Sequence, residues 1–173
     1  VITGDGLDAL AAARASNRPV IFVTAHFANH EVPRHLLTHM GHEIGGLYRP
    51  MSNPYFNDHY AKTMTAWGGA VFEQGRRGTA GFVKHLKSGG MATLLFDVAS
   101  SRGQPIPFLG KPANTSTSAA DLALRTDALV LPYFATRQSD GLTFSVTLGG
   151  PITHGDPFDM MHDMTKSLEA QIA

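Results

Sequence analysis

The sequence predicts an α/β fold, with a mostly parallel central sheet flanked by helices and an antiparallel hairpin late in the chain. Short apolar runs such as 20–25 and 91–96 suit strands that are buried on both faces. Segments of helical length separate these runs, which is the pattern of strand–helix–strand units. Ser139-Asp140-Gly141 stands between two further apolar runs and predicts the hairpin turn.

The first part of the chain is expected to form a helix, a strand and a second helix. Residues 5–16 are Ala-rich with a short apolar stripe, and Asn17-Arg18-Pro19 breaks this helix. Residues 20–25 form the first strand. The helix over 31–40 carries Pro33 in its first turn, where proline is tolerated.

The middle of the chain repeats the alternation. A strand is expected over 43–48, a helix over 52–66 and a short strand over 70–72. Residues 73–78 form a polar, basic, glycine-flanked loop, and a helix over 79–88 follows.

The last part contains one long segment without a regular pattern, residues 98–116, which we predict to be a loop. A loop of that length in one domain is more often functional than not. The remaining predicted elements are the strand 91–96, the helix 117–127, the hairpin strands 129–136 and 142–148, and the helix 157–172.

Composition limits the possible functions. With 173 residues, 43 % of them hydrophobic, the chain is expected to form a single domain over 1–173. The formal net charge is zero, so no nucleic-acid partner is predicted. The chain contains no cysteine, which removes disulfides and a cysteine nucleophile. Because it starts without Met and ends inside a helical pattern, we expect a piece of a longer protein.

The most informative stretch is the end of the first strand, where the apolar run stops at His26 and Glu31 follows five residues later. A residue at the carboxyl end of a buried strand stands at the edge where α/β folds bind ligands. Across a strand–turn–helix corner the carboxylate can reach the imidazole, hold one ring nitrogen as N–H and leave the other as a base. The spacing is explained equally well by a structural histidine and a glutamate at the start of the next helix, where the helix dipole stabilises a negative charge.

Two further residues are expected at the same edge. Asp97 ends another buried strand and Arg49 ends the strand 43–48. A helix cap is an equally good explanation of Asp97. Arg76 lies between glycines like part of an anion clamp, although an exposed basic loop is commoner, and Asn29 is expected in a turn.

Four histidines near this corner raise the question of a metal site: His26, His30, His35 and His39. A zinc protease motif requires His-Glu-x-x-His, but one residue too many separates Glu31 from His35. Pro33 also opposes one long helix through the histidines. We therefore predict neither a metal nor a cofactor, with a histidine-rich metal-dependent hydrolase as the alternative. No Gly-x-Ser-x-Gly, Walker or Gly-x-Gly-x-x-Gly motif occurs.

The stretch His26-Phe-Ala-Asn-His-Glu31 resembles the His-x4-Asp/Glu motif of the glycerolipid acyltransferases. Its glutamate form is similar to that of the lipid A biosynthesis late acyltransferases, the lauroyl and myristoyl transferases. The segment from Tyr48 to Pro54 resembles that family's Tyr-Arg-Pro-x-x-Asn-Pro block, and 74–78 and Asp97 follow in the family's order. The chain departs from the family at Val98, where a polar residue is common, and at His30, where tryptophan is common. The resemblance implies a glycerolipid acyltransferase-like fold.

The resemblance also implies an activity: transfer of a fatty acyl chain from acyl carrier protein to a hydroxyl of a glycolipid, a lipid A precursor. In that role His26 deprotonates the acceptor, Glu31 orients His26, and Asp97 supports the site. The residues implied to bind substrate are Arg49, Arg76, Asn29 and Tyr48.

The implied location is a membrane surface, the cytoplasmic face of the bacterial inner membrane. An N-terminal membrane-associated segment and a C-terminal helical segment of the family are expected to be missing from this chain. The alternatives within the fold are a lysophospholipid or ornithine-lipid acyltransferase and a catalytically silent lipid-binding domain.

Overall fold

The structure, a computed structural model, describes residues 1–66 and 68–173. The strands are β1 (Ile2–Thr3), β2 (Val20–Thr24), β3 (Ile44–Tyr48), β4 (Val71–Glu73), β5 (Met91–Leu95), β6 (Ala99–Phe108), β7 (Lys111–Thr115), β8 (Leu129–Arg137) and β9 (Phe144–Leu148). The helices are α1 (Leu7–Ala15), α2 (Glu31–His39), α3 (Pro54–Ala66), α4 (Arg76–Lys87), α5 (Ser118–Thr126) and α6 (Pro157–Ile172). Each predicted helix and strand is present, with its ends within a few residues of those expected.

Within the described part of the chain, seven strands form one sheet in the order β1-β9-β8-β2-β5-β3-β4. Strands β8, β2, β5, β3 and β4 run parallel to one another. Strand β9 is antiparallel to β8 and forms the late hairpin. The predicted α/β fold is therefore confirmed.

Strand β2 is at the centre of the sheet and is buried along its whole length. On one face, Val20 and Phe22 pack with apolar residues of α1 and α2. On the other, Ile21 and Val23 pack with apolar residues of α4, α5 and α6. Each such side chain contributes about 1.5–3 kcal/mol by leaving water, so burial on both faces explains why the strand is an unbroken apolar run.

The prediction of a loop over 98–116 is wrong, because β6 and β7 pair there as a separate antiparallel hairpin. Leu109 and Gly110 connect the strands with φ of 48° and 76°, the combination that a tight hairpin turn requires. Ile106 is fully buried, and the Leu109 N–H donates to Glu169 Oε1 of α6 at 2.5 Å. Prolines in both strands hide this hairpin from sequence patterns, but an isolated pair of strands tolerates them.

The predicted polar loop 73–78 is wrong in its second half, because α4 already begins at Arg76. Gly78 lies in the first turn of α4, where an added Cβ would collide with the Glu73 carbonyl. Glycine at this position therefore lets α4 start directly against β4. The short strand β1, which pairs with β9, is a second feature that the sequence did not predict.

Asp140 lies in the turn between β8 and β9, where the sequence predicted a hairpin turn. Its carboxylate accepts hydrogen bonds from the N–H groups of Leu142 and Thr143 and from the Thr143 hydroxyl. The bonds from Thr143, and then that from Leu142, lower the pKa of Asp140. The carboxylate therefore closes the turn in its ionised form.

None of the helices in residues 1–66 and 68–173 is long and apolar enough to cross a membrane.

A pair of hydroxyl groups forms a polar contact in the core under α2. The hydroxyls of Thr93 on β5 and Tyr133 on β8 are 2.5 Å apart, and Tyr133 is 1 % exposed. Burial raises the pKa of Tyr133 strongly, so the phenol stays protonated and able to donate. Because each hydroxyl satisfies the other, removing only one leaves a buried polar group without a partner.

We predict that Tyr133→Phe and Thr93→Val each lower the free energy of unfolding by about 1–3 kcal/mol, and that the double variant loses less than their sum. Urea unfolding measures all three. Tyr55→Phe, at a phenol on the surface, is the control and should leave the midpoint unchanged. Strictly additive losses would show that the two hydroxyls do not depend on each other.

Candidate active site

The centre of the candidate site is the contact between His26 and Asp97, each of which lies two residues after the end of its strand, β2 or β5. The two strands pair in parallel with Thr24 opposite Leu95, and the Phe96 N–H donates to the Thr24 carbonyl at 3.1 Å. The strands therefore leave the sheet at one level, as the sequence predicted for this edge.

Both oxygens of the Asp97 carboxylate are bound by His26. Oδ2 accepts the backbone N–H at 2.8 Å, and Oδ1 lies 2.8 Å from ring Nδ1. An ionised carboxylate only accepts hydrogen bonds, so Nδ1 carries the proton and Nε2 has the free lone pair. The His26 side chain is 56 % exposed and Asp97 is 25 % exposed. This arrangement can act as a general base towards a group that approaches Nε2.

Glu31 occupies a different position from the one that the spacing suggested. It starts α2, where its Oε1 lies 3.9 Å from His30 Nε2 and its Oε2 lies 3.7 Å from Arg34 Nη1. The carboxylate that holds the His26 ring is Asp97. The rings of His26 and His30 meet edge to face with centroids 5.6 Å apart. His30 therefore contacts both His26 and Glu31.

A cleft of about 440 Å³ opens at this corner. Its lining residues are Ala28, Asn29, His30, Glu31, Val32 and His35. Ala28 has a φ of 50°, and the Val32 N–H donates to the Asn29 carbonyl at 3.0 Å. Asn29 is therefore a turn residue, as expected, and it lines the cleft as well.

The other predicted site residues follow the neighbouring strands at the same edge of the sheet. Tyr48 ends β3, and its hydroxyl donates to Glu73 Oε2 at 3.4 Å. Arg49 comes directly after β3 and is exposed. Arg76 follows β4 in the first turn of α4, where a second cleft of about 540 Å³ is lined by residues 71–78 and 81. The cleft combines the guanidinium groups of Arg76 and Arg77, the carboxylate of Glu73 and the positive end of the helix dipole.

Two residues that the sequence did not single out belong to the site. Arg34 is fully buried behind Glu31. The ring of Tyr60 packs against that of Tyr48 at a tilt of 59°, with ring centroids 5.7 Å apart. Burial, and then the charge of Glu31, raise the pKa of Tyr60. One signal for Arg34 was available: it occupies the same helix stripe as Leu37, where an apolar residue is expected.

The two histidines of α2, His35 and His39, contact each other through their rings, whose centroids are 4.9 Å apart. Among residues 1–66 and 68–173, no three His, Asp or Glu side chains are grouped closely enough to hold a metal ion.

Comparison with known proteins tests the resemblance that the motifs suggested. The family model for bacterial lipid A biosynthesis acyltransferases matches residues 1–173, the whole chain. None of the curated proteins compared with the chain matches it. The family match decides for an acyltransferase over a hydrolase and implies an acyl donor and a lipid acceptor. The chain belongs to the bacterial lipid A biosynthesis acyltransferase family.

Proposed function

We propose that the protein transfers a fatty acyl chain from an acyl carrier protein thioester to a hydroxyl of a lipid A precursor, with His26 as the general base. The observation that carries the proposal is the 2.8 Å contact of His26 Nδ1 with Asp97, which leaves Nε2 free to take a proton. Membership of the lipid A acyltransferase family supports the choice of reaction.

In the proposed reaction, His26 Nε2 takes the proton of the acceptor hydroxyl while its oxygen attacks the thioester carbonyl carbon. A C–O bond forms, and the carbonyl oxygen carries the negative charge of the tetrahedral intermediate. Collapse of this intermediate breaks the C–S bond, and the imidazolium returns the proton to the departing sulfur. Asp97 keeps the ring oriented and stabilises its positive charge.

Glu31 is proposed as the second catalytic carboxylate. It lines the cleft beside His30 and has the buried Arg34 guanidinium behind it. From this position its negative charge would stabilise the positive charge that develops on the His26 ring when the ring takes the proton.

Four residues are proposed to bind the substrates: Arg49, Arg76, Asn29 and Tyr48. A guanidinium suits phosphate or carboxylate groups because it donates in a planar fork, and Arg49 and Arg76 are exposed near the same edge as His26. Asn29 lines the cleft together with His30, whose ring contacts that of His26. Tyr48 lies between Glu73 and Tyr60, which holds its ring in place.

The reaction is proposed to take place at the cytoplasmic face of the bacterial inner membrane, because the acceptor is a lipid and the donor a soluble carrier protein. The start of α3 supports contact with a membrane surface. Tyr55 and Phe56 are 86 % and 53 % exposed there, a few residues after Arg49. An aromatic and basic surface of this kind suits the lipid–water boundary.

The first prediction for the site concerns the base itself. His26→Ala in the full-length protein should lower the rate of acyl transfer by about 10²–10⁴-fold, the usual contribution of a general base. A transfer assay with acyl carrier protein and lipid A precursor measures this, and His39→Ala, at an exposed ring in the last turn of α2, is the control. Wild-type transfer by His26→Ala would contradict the mechanism.

Asp97→Asn tests the orientation of the ring. The amide oxygen of the new side chain should still accept the hydrogen bond from the backbone N–H of His26. The amide NH₂ group then faces Nδ1 and donates to it, so the ring proton moves to Nε2. We expect kcat to fall about 10²–10⁴-fold with little change in KM, and ¹⁵N NMR to show the changed tautomer. The control is Asp127→Asn, at an exposed carboxylate that pairs with Arg18. An unchanged tautomer would refute this role of Asp97.

The substrate is tested in cells that lack the gene. Mass spectrometry should find lipid A without one secondary acyl chain, restored by the wild-type gene and not by His26→Ala. Intact lipid A together with altered phospholipids or ornithine lipids would instead support the alternative acyltransferases. Binding of the precursor by the purified protein without turnover would indicate a lipid-binding domain.

A further inference from the structure

Arg34 is a charged residue that is fully enclosed in the core next to the cleft. It lies on α2, one turn after Glu31. A guanidinium in such a place loses its hydration and must be compensated by contacts within the protein. The contacts that it makes therefore indicate what the residue does.

Three backbone carbonyls accept hydrogen bonds from the guanidinium. Nε donates to Ile44 at 3.2 Å, and Nη2 donates to Met64 at 3.3 Å and to Gly68 at 2.8 Å. These carbonyls belong to the start of β3, the end of α3 and the segment after α3. Arg34 thus ties α2 to both neighbouring elements, and the planar guanidinium has no freedom to turn.

The remaining nitrogen, Nη1, is directed to Glu31, with 3.7 Å between Nη1 and Oε2. In the part of the chain that the structure describes, neither of these two buried atoms has a hydrogen-bond partner. Each is therefore compensated by the charge of the other. Because the guanidinium is fixed by three carbonyls, it determines where the Glu31 carboxylate lies at the wall of the cleft.

We propose that Arg34 is a positioning residue that acts through Glu31, holding this carboxylate in place for acyl transfer. The inference rests on the proposed function in one respect, the catalytic use of Glu31. A purely structural Arg34 would tie the same three elements together and would affect turnover in the same way whether or not Glu31 kept its charge. The two roles therefore differ in how strongly residues 34 and 31 are coupled.

A double-variant cycle in the full-length protein separates them. Arg34→Met should lower kcat by about 10- to 100-fold in the wild-type background and by no more than about threefold when Glu31→Gln is already present. KM should change little. Arg34→Lys should recover part of the rate, because it keeps the positive charge near Glu31 but lacks the fork that binds the carbonyls.

Leu37→Ala is the matched control, since Leu37 is fully buried on the same helix and its side chain has neither charge nor hydrogen-bonding group. It should lower the Tm and change kcat by the same factor in both Glu31 backgrounds. Equal losses of kcat from Arg34→Met in both backgrounds, with no recovery by Arg34→Lys, would overturn the inference and leave Arg34 a structural residue.

The free energy of unfolding of the same variants, measured in urea, tests the coupling of Arg34 and Glu31 without relying on turnover. If the wild-type protein transfers no acyl chain from acyl carrier protein, the proposed function fails, and the unfolding data decide only whether Arg34 holds the Glu31 carboxylate in place. Non-additive losses for Arg34→Met and Glu31→Gln would support the fixed ion pair, whereas additive losses would overturn it.

Discussion

The site depends on one carboxylate, that of Asp97, which binds the ring and the backbone of the same histidine at 2.8 Å each. This pair of bonds sets the tautomer of His26 and joins the ends of the two central strands. It requires the register in which Thr24 lies opposite Leu95. A slip by one residue would exchange the faces of all side chains on one strand, so the base and its carboxylate would no longer meet. The buried apolar residues of β2 and β5 prevent such a slip, and the core therefore maintains the chemistry at its edge.

Strand order brings the rest of the site to the same place. Along the sheet, β2, β5, β3 and β4 are neighbours and parallel, so His26, Asp97, Arg49 and Arg76 all follow strands that end at one edge. In the sequence these residues are spread over more than a third of the chain, and their order differs from the order across the sheet. His26 and Asp97 are consequently central, and the exposed arginines lie towards the β4 side of the sheet.

The sequence predicted what depends on local pattern and missed what depends on distant backbone. The ends of apolar runs located His26, Asp97 and Arg49 at one edge because burial on both faces makes such strands easy to recognise. The helix stripe of Leu37 hinted that Arg34 is buried, but its acceptors are carbonyls 10, 30 and 34 residues away, whose positions follow only from the packing of β3 and α3. For the same reason, the spacing between His26 and Glu31 suggested a contact that the ring makes with Asp97 instead.

The two carboxylates of the site differ in a way that separates their roles. Both are about one quarter exposed, but Asp97 has each oxygen within hydrogen-bond distance of His26, whereas Glu31 meets its neighbours only at 3.7 Å and 3.9 Å. A carboxylate with satisfied oxygens gives a rigid reference for the ring that it holds. The Glu31 carboxylate has no hydrogen bond at Oε2, and the Arg34 guanidinium balances its charge there. The geometry thus fits the proposed roles, in which Asp97 orients His26 and Glu31, held by Arg34, contributes a negative charge at the cleft.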